Sequence, residues 1–128
     1  MAQYRAKAAY QQSDEANAYD DVRFKSLKGR WEDRLEKRAI LRAMRNVPDG
    51  ARVLDLPCGT GRITESLLEL SHTVTGADIS EPMMAHARKK LAGSCNLESL
   101  QQADAESLPF KDGEFDAVTS VVYALVPI

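Results

Sequence analysis

The sequence predicts an α/β fold: a parallel sheet of about four strands flanked by helices. Three observations predict it. A four-residue apolar period up to residue 47 gives way to short β-branched runs beyond residue 50. Those runs alternate with helical stretches, which is the pattern of strand–helix–strand units. Three successive runs end on an acid, and parallel sheets bind ligands beyond the carboxyl ends of their strands.

Composition sets the frame. A chain of 128 residues can enclose one hydrophobic core. The net charge of -2 argues against nucleic-acid binding by bulk electrostatics. No apolar run approaches the roughly 20 residues of a membrane span, and MAQYRAKAAYQQSDEANAYDD lacks the apolar centre of a signal peptide. Cys58 and Cys95 stand apart, with no metal-ligand spacing to a histidine, so no metal site is expected and a reducing, cytoplasmic setting is.

The elements follow in order. Residues 1–28 are polar and weakly patterned, with room for one helix. From Arg30 to Val47 the chain reads as a helix. Trp31, Leu35 and Ala39 recur every four residues, and Ile40, Ala43, Met44 and Val47 widen the inward stripe. Pro48-Asp49-Gly50 ends it. Ala51–Leu56 is a short buried strand. A helix follows Gly61, with Ile63, Leu67, Leu68 and Leu70 inward. Thr73–Ala77 is a second strand. Ser80 caps a helix that has Pro82 in its first turn and runs to Ala92, where Gly93 suits the stop. Leu97–Ala103 is a weaker third strand, and Phe115–Val122 a fourth. The chain divides at residue 48 into an N-terminal helical segment and a core.

The densest signal is VLDLPCGTGR, residues 53–62. Such a loop presents backbone N–H groups, and glycine lets a ligand approach where a Cβ would block it. Gly59 and Gly61 fill that role. A bare strand-to-helix turn is the plain alternative for a lone glycine pair. Two cofactor readings compete. A dinucleotide fingerprint of GxGxxG type puts Thr64 at the third glycine. The other is the D-x-small-x-G-x-G loop for S-adenosyl-L-methionine, matched by Asp55, Gly59 and Gly61, with Pro57 in place of the first glycine.

Four phrases carry a resemblance: VLDLPCGTGR, TVTGADIS at 73–80, QQADAESLPF at 101–110 and FDAVTS at 115–120. In order and spacing they resemble the class I S-adenosyl-L-methionine-dependent methyltransferases, and the resemblance implies a Rossmann-like sheet with the strand order 3-2-1-4. The phrases AESLPF and FDAV are similar to the small-molecule group around ubiquinone and menaquinone synthesis. The resemblance covers residues 50–122. It implies transfer of a sulfonium methyl group to a small-molecule acceptor.

The resemblance also implies roles. Asp78 would accept the ribose hydroxyls, and an acid there suits a nucleoside without a 2′-phosphate. Ile79 would pack on the adenine, Asp104 would accept its amino group, and the Ala105 N–H would donate to the ring. Asp55 would steady the loop and the cationic amine of the methionine moiety. Pro57 and Cys58 would line the loop, Met83 would close over the cofactor, and Val121 would lie nearby. The bland readings are a turn acid for Asp78, a turn cap for Asp104 and helix packing for Met83 and Met84. No catalytic residue is named, because proximity and orientation can carry such a transfer.

Other candidates weigh less. Cys58 at a helix N-terminus suggests a lowered thiol pKa, but no histidine is near and a small residue in a crowded loop explains it. His72 and His86 are isolated. Residues 23–45 hold nine Lys or Arg against three Asp or Glu, best read as a wet helix face. An N-terminal lid would bring Tyr19 and Arg23 to the cofactor. The pattern ends after the fourth strand, whereas the family continues with three more. Its open apolar edge would suit a second copy or a partner. A non-catalytic binding or interaction domain is therefore one alternative, and an NAD-binding oxidoreductase domain is another.

Overall fold

The computed structural model describes residues 27–121. Tyr19, Arg23, the helix expected before residue 27 and the end of the fourth strand at Val122 lie outside them. In chain order the elements are α1 (Leu27–Ala43) with a 3-10 turn (Met44–Asn46), β1 (Arg52–Asp55), α2 (Arg62–Leu68), β2 (Thr73–Asp78), α3 (Glu81–Leu91), β3 (Leu97–Gln102) and β4 (Ala117–Thr119). The four strands form one sheet, ordered β3-β2-β1-β4. Every pairing is parallel.

The strands are short and apolar because β1 and β2 are covered on both faces. Successive side chains of a strand point to opposite sides. Val53 and Leu54 therefore anchor two separate clusters. Val53 packs with Met44, Ala51, Ile63, Leu67 and Val74, where Ile40, Val47, Ala117 and Val121 join them. Leu54 packs with Ala77 and Ala103, under Leu56, Phe110 and Phe115. Helix α3 lies on β2 and β3, and α1 packs on α2. The Ser80 hydroxyl caps α3 by accepting from the Met83 N–H at 3.4 Å.

Two expectations need correction. Helix α1 is already formed at Leu27, the first described residue, and four of the seven residues of the proposed inward stripe, Trp31, Leu35, Ala39 and Ala43, face out. Leu27, Trp31 and Leu35 are 84%, 61% and 46% exposed, and Ala39 is exposed as well. The docked face carries Gly29, Ile40 and Met44 together with two acids, Asp33 and Glu36, which meet Arg62 of α2. A polar contact thus chose the helix face that a count of apolar residues assigned elsewhere. Strand β4 is the second correction. Among the described residues only Ala117–Thr119 of the expected Phe115–Val122 is strand: Phe115 lies before it, edge-on against Phe110 at 5.0 Å, and Ser120 and Val121 have left the ladder.

Candidate functional site

The carboxyl ends of β1, β2 and β3 converge on the loop 56–61. The Leu56 N–H donates to the Thr119 carbonyl at 3.0 Å, extending the β1–β4 ladder by one bond. The Leu56–Pro57 peptide is cis, and Pro57 is exposed. The Cys58 N–H then donates to the Ala77 carbonyl at 2.9 Å, which pins the loop onto β2.

Asp78 completes the attachment. Its Oδ2 accepts from the Gly59 N–H at 2.8 Å, and its Oδ1 accepts from the Ser80 N–H at 2.9 Å. Burial pushes its pKa up, and the backbone N–H groups of Ser80, Gly59 and Ile79 oppose that rise. A carboxylate offers about four acceptor sites. These bonds leave capacity for further donors on the ligand side.

Gly59 and Gly61 hold φ of +55° and +87°, a region L side chains rarely adopt. They differ in surroundings. A Cβ on Gly61 would meet Leu91 at 3.0 Å and Ala87 at 3.3 Å, so this glycine lets α3 approach. A Cβ on half-buried Gly59 would meet nothing within 4 Å. The loop therefore leaves open space beside a backbone held in place by Asp78. That is a cradle a ligand can enter and a side chain would fill.

Asp55 lies beneath the loop, 1% exposed. It accepts from the Thr64 hydroxyl at 2.7 Å and the Thr119 hydroxyl at 2.9 Å. Burial raises its pKa from 3.8 to about 6. The two threonine bonds and the Arg62 charge pull it back, and Asp78 adds to the rise. The sequence reading weighed Thr64 only as a missing third glycine and passed over Thr119. The strand order supplied a signal for the second: β4 lies beside β1, with Asp55 in register with Thr119.

The remaining candidates are placed as follows. Met83 and Met84 are both buried, and Met84 Sδ touches Cys58 Sγ at 3.4 Å beneath the loop. Burial, followed by the charges of Asp78 and Asp55, pushes the Cys58 thiol well above its usual range. This reverses the lowered pKa suggested by its place before a helix. Asp104 Oδ1 accepts from the Glu106 N–H at 3.0 Å, and the Asp104 carbonyl accepts from the Ser107 N–H at 2.9 Å, so the turn-cap contacts are made. Ala105 is exposed beside it and Ile79 is half-buried. Val121 packs against the Val53 cluster. His72 is buried at the opposite end of β2, far along the sheet from the loop, and His86 is half-buried on α3. Among the described residues, no cluster of His, Cys, Asp or Glu has the makings of a metal site. No helix among them is long and apolar enough to cross a membrane.

Two further features escaped the sequence reading. Gly76 in β2 is glycine for space: a Cβ there would meet Leu100 Cδ2 at 2.6 Å and Cys58 Sγ at 3.2 Å. Arg62, directly after the loop, bonds Asp33 at 2.6 Å and Glu36 at 2.8 Å on α1.

Comparison with known proteins matches this arrangement. A family profile described as a methyltransferase domain fits residues 53–127. The demethylmenaquinone methyltransferase of Clavibacter sepedonicus is 41% identical over 104 residues, covering 81% of this chain and 41% of that protein. The glycopeptide N-methyltransferase MtfA, solved in complex with sinefungin, is 31% identical with a TM-score of 0.54, covering 66% of this chain and 34% of that one. A TehB-like SAM-dependent methyltransferase from Corynebacterium glutamicum shares the fold at a TM-score of 0.60 and 22% identity, covering 87% and 56%. The chain thus spans about two fifths of the length of the curated relative it matches. With the glycine cradle, the strand order and the matched span in agreement, this chain belongs to the methyltransferase-domain family, among the class I S-adenosyl-L-methionine-dependent methyltransferases.

Proposed function

We propose that this chain binds S-adenosyl-L-methionine at the ends of β1, β2 and β3 and forms the cofactor half of a methyltransferase acting on a small-molecule acceptor. One observation carries the reading: Gly59, bonded to Asp78, borders open space that a Cβ would enter. When bound, the cofactor supplies an electrophilic methyl group on its sulfonium. The chain's own residues bind and orient it. Asp78 takes the ribose hydroxyls on the acceptor sites left by Gly59 and Ser80. Asp104, with the Ala105 N–H, reads the adenine edge beside Ile79. Asp55, beneath the loop, steadies it and adds its negative charge near the cationic amine, and Pro57, Cys58, Met83 and Val121 shape the surrounding wall. An acid-lined site suits a cofactor with two positive charges better than it suits a pyrophosphate.

The same reading assigns residues 1–48 to a helical segment that covers the site, residues 49–128 to the cofactor core, and the chain to the cytoplasm. It also gives the β4 edge to a second copy or to a partner. The named acceptors of two relatives, demethylmenaquinone and a glycopeptide, support an organic acceptor of modest size.

Titration calorimetry tests the cofactor. S-adenosylhomocysteine is expected to bind and NAD is not. Binding of NAD alone would falsify the reading. Methyl transfer to a panel of small phenols, quinols and amines separates an enzyme from a binding module of the same fold.

A further inference from the structure

Arg62 occupies a position that the cofactor reading leaves unused. It follows Gly61 without a gap, so its backbone moves with the loop. Its guanidinium reaches away from the loop to α1. One nitrogen bonds Asp33 Oδ1 at 2.6 Å and the other bonds Glu36 Oε2 at 2.8 Å. The two acids are three residues apart and share one helix face, and a planar fork suits two such acceptors. Lys37 holds the second oxygen of Asp33 at 3.0 Å. The Arg62 side chain is 11% exposed, so this is not a surface pair of negligible worth.

The position has a second side. The Arg62 charge also acts on Asp55, favouring the ionised form that burial disfavours. Arg62 therefore stands between the acid beneath the loop and the acids of α1. Ile40 near the C-terminal end of α1, and Met44 in the 3-10 turn that follows it, are held in the core, whereas Leu27, Trp31 and Leu35 nearer its N-terminal end are exposed. The Arg62 fork grips the helix at Asp33 and Glu36, which flank exposed Leu35 in sequence.

We propose that Arg62 is a positioning residue that couples helix α1 to the cofactor loop, so that cofactor binding and the seating of α1 strengthen each other. The inference rests on the proposed S-adenosyl-L-methionine site. A ligand that fixes Gly59–Gly61 fixes the base of Arg62, which narrows the positions of its fork and so of α1. Linkage makes the effect mutual: a seated α1 raises cofactor affinity by the same factor.

The test is hydrogen exchange of the full chain with and without S-adenosylhomocysteine, together with calorimetry. In the unsubstituted chain, the ligand is expected to slow exchange both in residues 56–62 and in α1. In Arg62→Gln, a saturating ligand still protects the loop, but protection of α1 falls to its ligand-free level and affinity drops about tenfold. Arg62→Lys restores part of both, because one ammonium keeps the charge but spans the two carboxylates poorly. The double change Asp33→Asn with Glu36→Gln removes the same contact from the α1 side and is expected to reproduce the uncoupling, which covers the case in which Arg62→Gln does not fold. A purely structural Arg62 would lower the unfolding midpoint while leaving ligand-dependent protection of α1 intact, and that result overturns the inference alone. Failure of the unsubstituted chain to bind the ligand overturns the cofactor reading and this inference with it.

Discussion

Gly59 and Gly61 share a left-handed backbone but are glycine for different reasons, and substitution separates them. Gly59→Val strains φ by about 1–2 kcal/mol and puts a side chain into the open cradle, so S-adenosylhomocysteine binding is expected to vanish while the fold survives. Gly61→Val adds overlap with Ala87 and Leu91, at about 1–3 kcal/mol more. Urea unfolding beside calorimetry distinguishes the two. Asp55 offers a pH test. Its pKa rises from 3.8 unfolded to about 6 folded, so the native state binds the proton more tightly. Stability from this group is fully present below about pH 4 and is lost as pH rises to about 6, beyond which the cost of the buried charge is constant. That cost at pH 7 is on the order of 3 kcal/mol. Asp55→Asn is therefore expected to raise the unfolding midpoint at pH 7 relative to its effect at pH 4. If Asp55 meets the ligand's amine, affinity falls as pH drops through about 6 in the natural chain and stays level in Asp55→Asn.

Helix α1 shows how an element can be read correctly in kind and wrongly in facing. Its period announces a helix, and Ile40, Met44 and Val47 do reach the core. Trp31 and Leu35 do not, because the helix turns Asp33 and Glu36 toward Arg62. Truncation makes the contrast measurable. Met44→Ala is expected to cost about 2–5 kcal/mol, whereas Trp31→Ala stays within about 0.5 kcal/mol. An equal loss from both would restore the inward stripe. In β2, Gly76→Ala forces Leu100 and the Cys58 side chain to shift, for a loss of about 1–3 kcal/mol with partial disorder of the loop. Nothing in TVTGAD distinguishes Gly76 from an ordinary weak strand residue. Its role exists only because the loop from β1 folds back across β2.

At the scale of the molecule, the sheet of the described residues has β3 at one edge and β4 at the other. Strand β4 is three residues long, and Val118 on it is exposed. An uncovered strand edge pairs readily with another chain. Size-exclusion chromatography at high concentration is expected to show self-association, and Val118→Lys to shift it toward the monomer. Unchanged elution of the two chains would remove β4 from consideration as a contact. The curated relative that matches is more than twice as long as the matched span, so methyl transfer itself is measured separately from cofactor binding.

Periodicity, turn residues and the motif spacings determined the strand–helix alternation and the gathering of Asp55, Gly59, Gly61 and Asp78 at one end of the sheet; the order 3-2-1-4 came from the family resemblance. The first two follow from local signals: side-chain period, caps, and glycines at positions of positive φ. Tertiary structure alone decided what those residues touch. It assigned Thr64 and Thr119 to Asp55, gave Asp78 to the Gly59 N–H, closed the space above Gly76, and turned α1 by its acids rather than its tryptophan. Each of these contacts joins residues 9 to 64 positions apart. Local patterns record the period of a face. The partner that covers it is set by how separate elements close on one another in space.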